Sequence, residues 1–148
     1  MSPLACQTAT ATVTSGRDTR EEWVGGYGLD MAEFRVVFTA RDYEAAVGFF
    51  ADTMGLYVLR SFDQEGRGTI LLAADGQIEV LAHDGEGAPD PVRGARLAWE
   101  VDDADAEHER LRDAGVEVVQ APTVQPWGHK SFVVRGPDGW LITLYQQV

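Results

Sequence analysis

A pattern that occurs twice between residue 31 and residue 148 limits the possible folds of this chain more than any other feature. Each copy predicts one strand, one helix and then three strands. Neither half could bury its sheet face alone, because a small sheet needs a partner surface. The halves must therefore pair, either within one chain or across a dimer. Turn signals recur at corresponding places, namely Gly55 and Gly115 after the helices, and Asp75-Gly76 and Pro137-Asp138-Gly139 at hairpins.

The predicted elements define an α+β fold. In the first copy we predict strands at 34–40, 56–60, 68–74 and 77–81, with a helix that begins after Asp42. In the second copy we predict strands at 96–101, 116–119, 130–135 and 140–145, with a helix that begins after Asp103. Aspartate suits both N-caps, because its side chain accepts a hydrogen bond from a free backbone N–H. The two tandem β-α-β-β-β modules are predicted to form a curved, barrel-like mixed sheet with the helices on its outer face.

The first 30 residues differ in character from the rest of the chain. Small and polar residues dominate as far as residue 20, and glycines then interrupt the chain before Met31. We therefore predict a flexible N-terminal extension at 1–30 and one domain at 31–148. Trp23 and Tyr27 leave open the alternative that the extension is anchored to a partner or to the domain.

Charge and composition exclude several classes of function. The formal net charge is −12, which is unfavourable for binding nucleic acid because the phosphates would be repelled. The same acidity either favours a cationic ligand or only keeps the chain soluble. No stretch approaches 18 apolar residues, so we expect no membrane span. Cys6 is the one cysteine, which excludes a disulfide framework and favours a cytoplasmic location.

Alternation along the strands separates two faces of each predicted sheet. The apolar residues, among them Phe34, Phe38, Trp99 and Trp140, are predicted to face the helices. The mixed set faces a concave surface, which is where a small ligand would bind. Trp127 lies in a nearby loop, where it would either stack on a flat ligand or fold inward to close the sheet. The candidate ligand-binding residues are Arg35, Glu79, Arg96, Glu100, Trp127, Thr143 and Tyr145.

Three phrases of the sequence carry a family resemblance: VFTARDYEAAVGFFADTMGL at 37–56, LAWEVDDADAEHERLRDAGVEV at 97–118 and QPWGHKSFVVRGPDGWLITL at 125–144. The chain resembles the vicinal oxygen chelate superfamily of glyoxalases, bleomycin-resistance proteins and dioxygenases, and FTARD and QPWG are most similar to the bleomycin-resistance proteins. The resemblance covers essentially all of 31–148. It implies two chains that form two equivalent crevices, so we expect a homodimer, and it implies that the loop with Trp127 shapes the crevice. It does not name a ligand, because this fold carries many chemistries.

Metalloenzymes of this superfamily hold a divalent ion from the first and last strands of each module. The resemblance places Arg35, Glu79, Arg96 and Thr143 at those four positions. Only Glu79 is a plausible ligand, because a guanidinium has no lone pair to donate and threonine is a poor ligand. We therefore predict no metal and no other cofactor. Either the two arginines pair with Glu79 in one ionic cluster, or one of them is free to hold a carboxylate or phenolate of a ligand.

Three functions are compatible with these residues. The first is a metal-independent binding protein that sequesters an aromatic or cationic, antibiotic-like compound. The alternative is an enzyme of the same fold, of the lyase, isomerase or dioxygenase type, which acts on a small metabolite. No catalytic residue stands out in that case, and Glu79 is a weak candidate for a general base because two arginines flank it. The third is a module that has no ligand and acts through protein contacts.

Overall fold

The computed structural model describes residues 33–64 and 66–148, so the predicted extension at 1–30 lies outside the described residues. The first module contains β1 (Arg35–Ala40), α1 (Tyr43–Gly48) with a π-helical turn (Phe49–Thr53) that continues it, β2 (Tyr57–Phe62), β3 (Gly68–Ala73) and β4 (Gly76–Ala82). The second module contains β5 (Arg96–Glu100), α2 (Ala104–Asp113), β6 (Val118–Val124), β7 (His129–Arg135), a short 3-10 turn (Pro137–Gly139) and β8 (Leu141–Gln147).

The strands form two four-stranded mixed sheets, one from each module. The strand orders are β1-β4-β3-β2 and β5-β8-β7-β6. In each sheet the first and last strands of the module pair in parallel, and the other neighbours pair antiparallel. The predicted α+β fold of two tandem modules is confirmed. Among the helices of the described residues, none is long and apolar enough to cross a membrane.

The predicted turns are largely where the sequence indicates. Gly55 and Gly115 follow the helices with φ angles of 74° and 83°, in the left-handed region that favours glycine. The hairpin between β3 and β4 differs by one residue from the prediction. Its turn consists of Ala74 and Asp75, with Ala74 at φ 51°, and Gly76 is already the first residue of β4. The Asp75-Gly76 pair therefore predicted the presence of the hairpin correctly and the position of its turn one residue too late.

Both helices begin at the predicted caps. Asp42 Oδ1 accepts a hydrogen bond from the backbone N–H of Ala45 at 3.0 Å. Asp103 Oδ1 accepts two, from Asp105 and Ala106, each at 3.0 Å. These bonds satisfy N–H groups that have no partner within the first turn of a helix.

The two modules share one hydrophobic core, which lies between the helix-facing sides of the sheets. The ring of Phe38 in the first sheet meets the ring of Trp140, which directly precedes β8 of the second sheet, at 5.7 Å, edge to face. Arg110 of α2 donates a hydrogen bond to the backbone carbonyl of Thr53 at 2.9 Å, which joins the helices of the two modules. Phe38 and Trp140 are buried as predicted, whereas Phe34 precedes β1 and is 64% exposed, so its predicted place in the core is wrong. The core also contains Phe50, Leu71, Val80, Leu111, Phe132, Val134, Ile142 and Leu144.

Because the helix-facing sides meet in this core, the other side of each sheet points away from it. We call these two surfaces the open faces. On the first sheet, Val37 pairs with Glu79, and Glu79 pairs with Ile70. On the second, Ala98 pairs with Thr143 in the corresponding position. The remaining open-face residues used below are Arg35, Tyr57, Arg60, Phe62, Gly68, Leu72, Leu81, Arg96, Glu100, His129, Ser131 and Tyr145.

We expect Asp103→Ala to lower the free energy of unfolding by about 1 kcal/mol, because two N–H groups of α2 lose their acceptor. Asp103→Asn keeps an acceptor and should cost much less. Asp113→Ala, an exposed change at the other end of α2, is the matched control. Urea denaturation followed by circular dichroism measures all three, and equal losses in the Ala and Asn variants of Asp103 would contradict the assignment of the cap.

Candidate functional site

The open face of the first sheet is organised by an ion pair. Arg35 Nη1 donates to Glu79 Oε2 at 2.7 Å, and Glu33 is a second acidic partner of the same guanidinium. The β1–β4 register sets Arg35 opposite Gln77, so that Glu79 is its diagonal neighbour on the same face. The Arg35 and Glu79 side chains are only 24% and 12% exposed. The hydrogen bond to Glu79 raises the pKa of Arg35 above its ordinary value, so the guanidinium stays charged.

Arg96 does not join this ion pair within one chain. It lies on β5 in the other sheet, it is exposed, and among the described residues no acidic side chain forms a salt bridge with it. The predicted cluster of Arg35, Glu79 and Arg96 is therefore not formed in the single chain. The cluster that is formed has Arg35 between two carboxylates, those of Glu33 and Glu79. The alternative, in which one guanidinium is free to meet a ligand, stays a prediction.

The open face of the second sheet carries an aromatic platform. The rings of His129 and Tyr145 stack in parallel at 4.6 Å, with 12° between their planes. Ser131 pairs with Tyr145 across β7 and β8, and its hydroxyl lies 3.3 Å from the Gln125 side-chain amide. Trp127, in the loop between β6 and β7, is 69% exposed and has not folded inward. Two rings held by the sheet and one exposed indole offer stacking surfaces for a flat molecule.

The remaining predicted residues lie at the margins of this platform. Glu100 pairs with Tyr145 across β5 and β8, and its carboxylate accepts a hydrogen bond from Gln147 at 3.3 Å. Thr143 occupies the place in the second sheet that Glu79 occupies in the first. The structure therefore brings Glu100, Thr143 and Tyr145 together, and it places Arg35 and Glu79 on the other sheet.

Sequence analysis missed His129 and Glu33. A signal for His129 was present, because alternation backwards from Val133 through Ser131 puts His129 on the open face beside Tyr145. For Glu33 there was no signal, because it precedes the strand and its pairing depends on the path of the chain into β1.

A hydrophobic contact shapes the far end of the first open face. Phe62 pairs with Gly68, and its ring lies over the glycine. A Cβ atom at Gly68 would clash with this ring and would lie 2.9 Å from Leu81 Cδ2. Arg60 adds a cation–π contact, with its guanidinium carbon 5.8 Å from the centre of the Phe62 ring. Glycine at position 68 is thus required by the packing of Phe62 and not by backbone strain.

The open faces of one chain are exposed to water and carry apolar side chains. Val37 is 51% exposed and Tyr57 is 70% exposed, and Leu72 beside Tyr57 is also exposed. Two cavities of the described residues lie elsewhere. One, of about 410 Å³, is next to Tyr43 and α1, and the other, of about 370 Å³, is next to the turn at 137–139. The open faces of a single chain are therefore exposed surfaces, and neither of these cavities lies on them.

The residues at the four metal positions do not fit a divalent metal ion. Glu79 is the one acidic donor among Arg35, Glu79, Arg96 and Thr143, and Arg35 already holds its carboxylate. Across residues 33–64 and 66–148, no three His, Cys, Asp or Glu side chains are grouped closely enough to hold a metal ion. That the protein works without a metal or other cofactor stays a prediction, and we derive no chemical step through one.

Comparisons with known proteins identify the fold. The family model described as Glyoxalase/Bleomycin resistance protein/Dioxygenase superfamily matches residues 34–144. TnmS3, an antibiotic-binding protein from Streptomyces sp. CB03234, is 27% identical, and the match covers 78% of this chain and 95% of TnmS3 with a TM-score of 0.62. No curated protein sequence matches the chain.

Two further solved structures show the fold alone. TioX from Micromonospora sp. ML1 is 23% identical, and the match covers 79% of this chain and 99% of TioX with a TM-score of 0.62. Lactoylglutathione lyase from Agrobacterium tumefaciens is 16% identical, and the match covers 78% of this chain and 93% of that chain with a TM-score of 0.60. The fold is thus shared between a protein named as an enzyme and a protein named for binding an antibiotic.

Gly68→Ala should lower the free energy of unfolding by about 1–3 kcal/mol, because the new methyl group displaces the Phe62 ring. Phe62→Leu in the same chain should recover part of this loss. Gly48→Ala is the matched control, since a Cβ atom there makes only ordinary contact and alanine favours the helix, with a gain of up to about 1 kcal/mol. Similar losses in both glycine variants, measured by urea denaturation, would refute this account of Gly68.

The two open-face arginines should respond differently to replacement by methionine. Arg35→Met leaves the largely buried Glu79 carboxylate without its partner, and we expect a loss of about 1–3 kcal/mol. Arg96→Met removes no ion pair of the described residues, and we expect a change within about 0.5 kcal/mol. Thermal and urea denaturation measure both. Equal losses would show that Arg96 has a structural partner after all.

Proposed function

Because the chain belongs to the glyoxalase/bleomycin resistance protein/dioxygenase superfamily, we propose that it is a metal-independent protein of the cytoplasm that binds and sequesters a small, flat aromatic compound of the antibiotic-like kind. The binding site is formed by the open faces. The observations that carry this proposal are the stacked rings of His129 and Tyr145 and the exposed Trp127 in the loop that leads into His129. An exposed indole such as that of Trp127 is suited to stacking on a flat molecule.

Charge on the open faces favours an aromatic ligand over a simple cation. Four acidic side chains, Glu33, Glu79, Glu100 and Glu117, are matched by four basic ones, Arg35, Arg60, Arg96 and Arg135. The net charge of −12 therefore has its source elsewhere, including the acidic residues of α2. Because the charges on the open faces cancel, long-range attraction to an ion of either sign is weak there. A ligand is then recognised by the rings and polar groups that it brings into contact with these faces.

TnmS3 supports the same function. It is named as an antibiotic-binding protein, and the match extends over nearly all of its length. The enzyme alternative has less support, because its weak candidate base, Glu79, is held by Arg35 at 2.7 Å. Without a freely available base, the open face offers binding contacts and lacks an evident group to move a proton.

A homodimer completes the site in this proposal. The shared core lies on the helix-facing sides of both sheets, so the two open faces point away from it. Val37, Tyr57 and Trp127 are therefore exposed to water. A second copy would cover these side chains if the first sheet of one chain faced the second sheet of its partner. Two equivalent crevices follow from the two-fold symmetry of such a pair. Each crevice would join the ion pair of Arg35 and Glu79 to the aromatic platform of the other chain.

Trp127→Ala should weaken ligand binding by about tenfold, because one stacking surface is lost. Trp127→Phe keeps a ring and should lose less. Thermal shifts with a panel of planar aromatic compounds, bleomycin included, would identify the ligand, and calorimetry with the best compound would give the affinities. Unchanged affinity in Trp127→Ala would contradict a crevice built around this loop.

Mixing two damaged chains tests whether a crevice is shared. Val37→Arg alters the first open face at an exposed position, and Trp127→Ala alters the second. In a mixed dimer with shared crevices, one crevice carries both changes and the other carries neither. We therefore expect that unfolding and refolding an equal mixture restores about one quarter of the wild-type binding capacity.

Each variant alone should bind weakly, and refolding each by itself is the control. If every crevice is formed within one chain, each crevice in the mixture keeps one change and no capacity returns. That result would refute sharing while leaving the open faces as candidate sites.

A further inference from the structure

The larger cavity lies away from the open faces, between α1 and the β2–β3 hairpin on the helix-facing side of the first sheet. Its volume is about 410 Å³, which is within the range of small-molecule sites. Its walls include three hydroxyl groups that form a chain. Thr69 Oγ1 lies 2.6 Å from the Tyr43 hydroxyl and 2.8 Å from the Ser61 hydroxyl. Thr69 is almost fully buried, and Tyr43 and Ser61 border the cavity on either side of it.

The second module shows which residues occupy the equivalent positions where the core is filled by apolar side chains. The position of Thr69, opposite Val80, corresponds to that of Phe132, opposite Leu144. Counting from the two aspartate caps, Tyr43 corresponds to Ala104, which is fully buried. In the second module the ring of Phe132 therefore fills the space that lies over Thr69 in the first.

An ion pair between helix and sheet recurs at equivalent positions in the two modules. Arg67 pairs with Glu44 in the first module, and Lys130 pairs with Asp105 in the second. These pairs occupy corresponding positions, so they join helix to sheet in both modules. Arg67 is further engaged by the ring of Tyr43, at 4.3 Å from its guanidinium carbon. The guanidinium of Arg67 is thus engaged in contacts that stabilise the fold. The feature that the second module lacks is the chain of hydroxyl groups.

The hydroxyl chain has one donor to spare. Three hydroxyl groups supply three O–H donors, and the two contacts with Thr69 use two of them. In the part of the chain that the structure describes, the Tyr43 and Ser61 hydroxyls have no other side-chain partner. One end of the chain can therefore donate to a molecule in the cavity, and the oxygen atoms at both ends can accept.

The remaining walls define the charge and shape of a suitable molecule. Asp63 lines the cavity, and among the described residues it forms no salt bridge. Val47 of α1 adds apolar surface. Among the described residues that line the cavity, Glu44 and Arg67 neutralise each other, and Asp63 carries the one unbalanced negative charge. We propose that this cavity is a second ligand site, distinct from the open faces, for a small hydroxylated amine of the amino-sugar kind.

Glucosamine is the probe, with glucose and gluconate as its neutral and anionic counterparts. Titration of the full-length chain, followed by 1H–15N NMR, should show glucosamine shifting the backbone signals of Ser61, Asp63 and Thr69. Binding by glucose should be at least about tenfold weaker, and gluconate should not bind, because Asp63 attracts the ammonium group and repels a carboxylate. Absence of glucosamine shifts at these residues, or equal binding of glucose, would overturn the proposal.

Variants test the two features separately. Asp63→Asn is a surface change that should weaken glucosamine binding by about tenfold or more without affecting the fold, and Asp84→Asn, in the loop after β4, is its control. The double variant Tyr43→Ala, Thr69→Phe copies the residues of the second module and should abolish binding by filling the cavity. Binding that survives in Asp63→Asn, or that persists in a folded double variant, would contradict the site.

Discussion

The edge-to-face contact of Phe38 with Trp140 joins the helix-facing sides of two sheets that belong to different modules. Around it, the apolar residues of both sheets and both helices form one core. This arrangement solves the problem of a half-repeat that cannot bury its own sheet, and it leaves the outer side of each sheet open. Because each sheet packs its helix-facing side against the other module, its opposite side points away from the core. Those opposite sides carry Arg35, Glu79 and Tyr145, and Trp127 lies in a loop beside the second of them.

The repeat also separates what holds the fold from what distinguishes each module. Caps at Asp42 and Asp103 and the helix-to-sheet ion pairs recur at corresponding positions, so they belong to the scaffold. The open faces differ, because an ion pair dominates the first and stacked rings dominate the second. In the core, Thr69 stands where the other module has Phe132. Differences between repeats that share a scaffold are where binding chemistry is expected, since packing alone would favour the same residues in both.

Much of the fold was accessible from the sequence because it depends on local rules. Alternation assigned Phe38 and Trp140 to the core, and side-chain chemistry assigned Asp42 and Asp103 to the caps. The failures concern how distant segments meet. The Arg35–Glu79–Arg96 cluster, one of two alternatives for the arginines, is not formed within one chain, because Arg96 lies on the other sheet. Phe34 was assigned by extending the alternation one residue beyond the strand. The hydroxyl chain of Tyr43, Ser61 and Thr69 joins three elements, and no spacing in the sequence indicates it.

The central claim is that the ligand site on the open faces is completed by a second copy of the chain. Sedimentation equilibrium of the full chain at micromolar concentration tests it most directly, because it measures mass independently of shape and of ligand. A single chain has a mass of 16.2 kDa. We predict a particle of twice that mass, in which the exposed apolar side chains of the open faces are covered by the partner. A monomer at these concentrations, with or without a bound aromatic compound, would contradict the account.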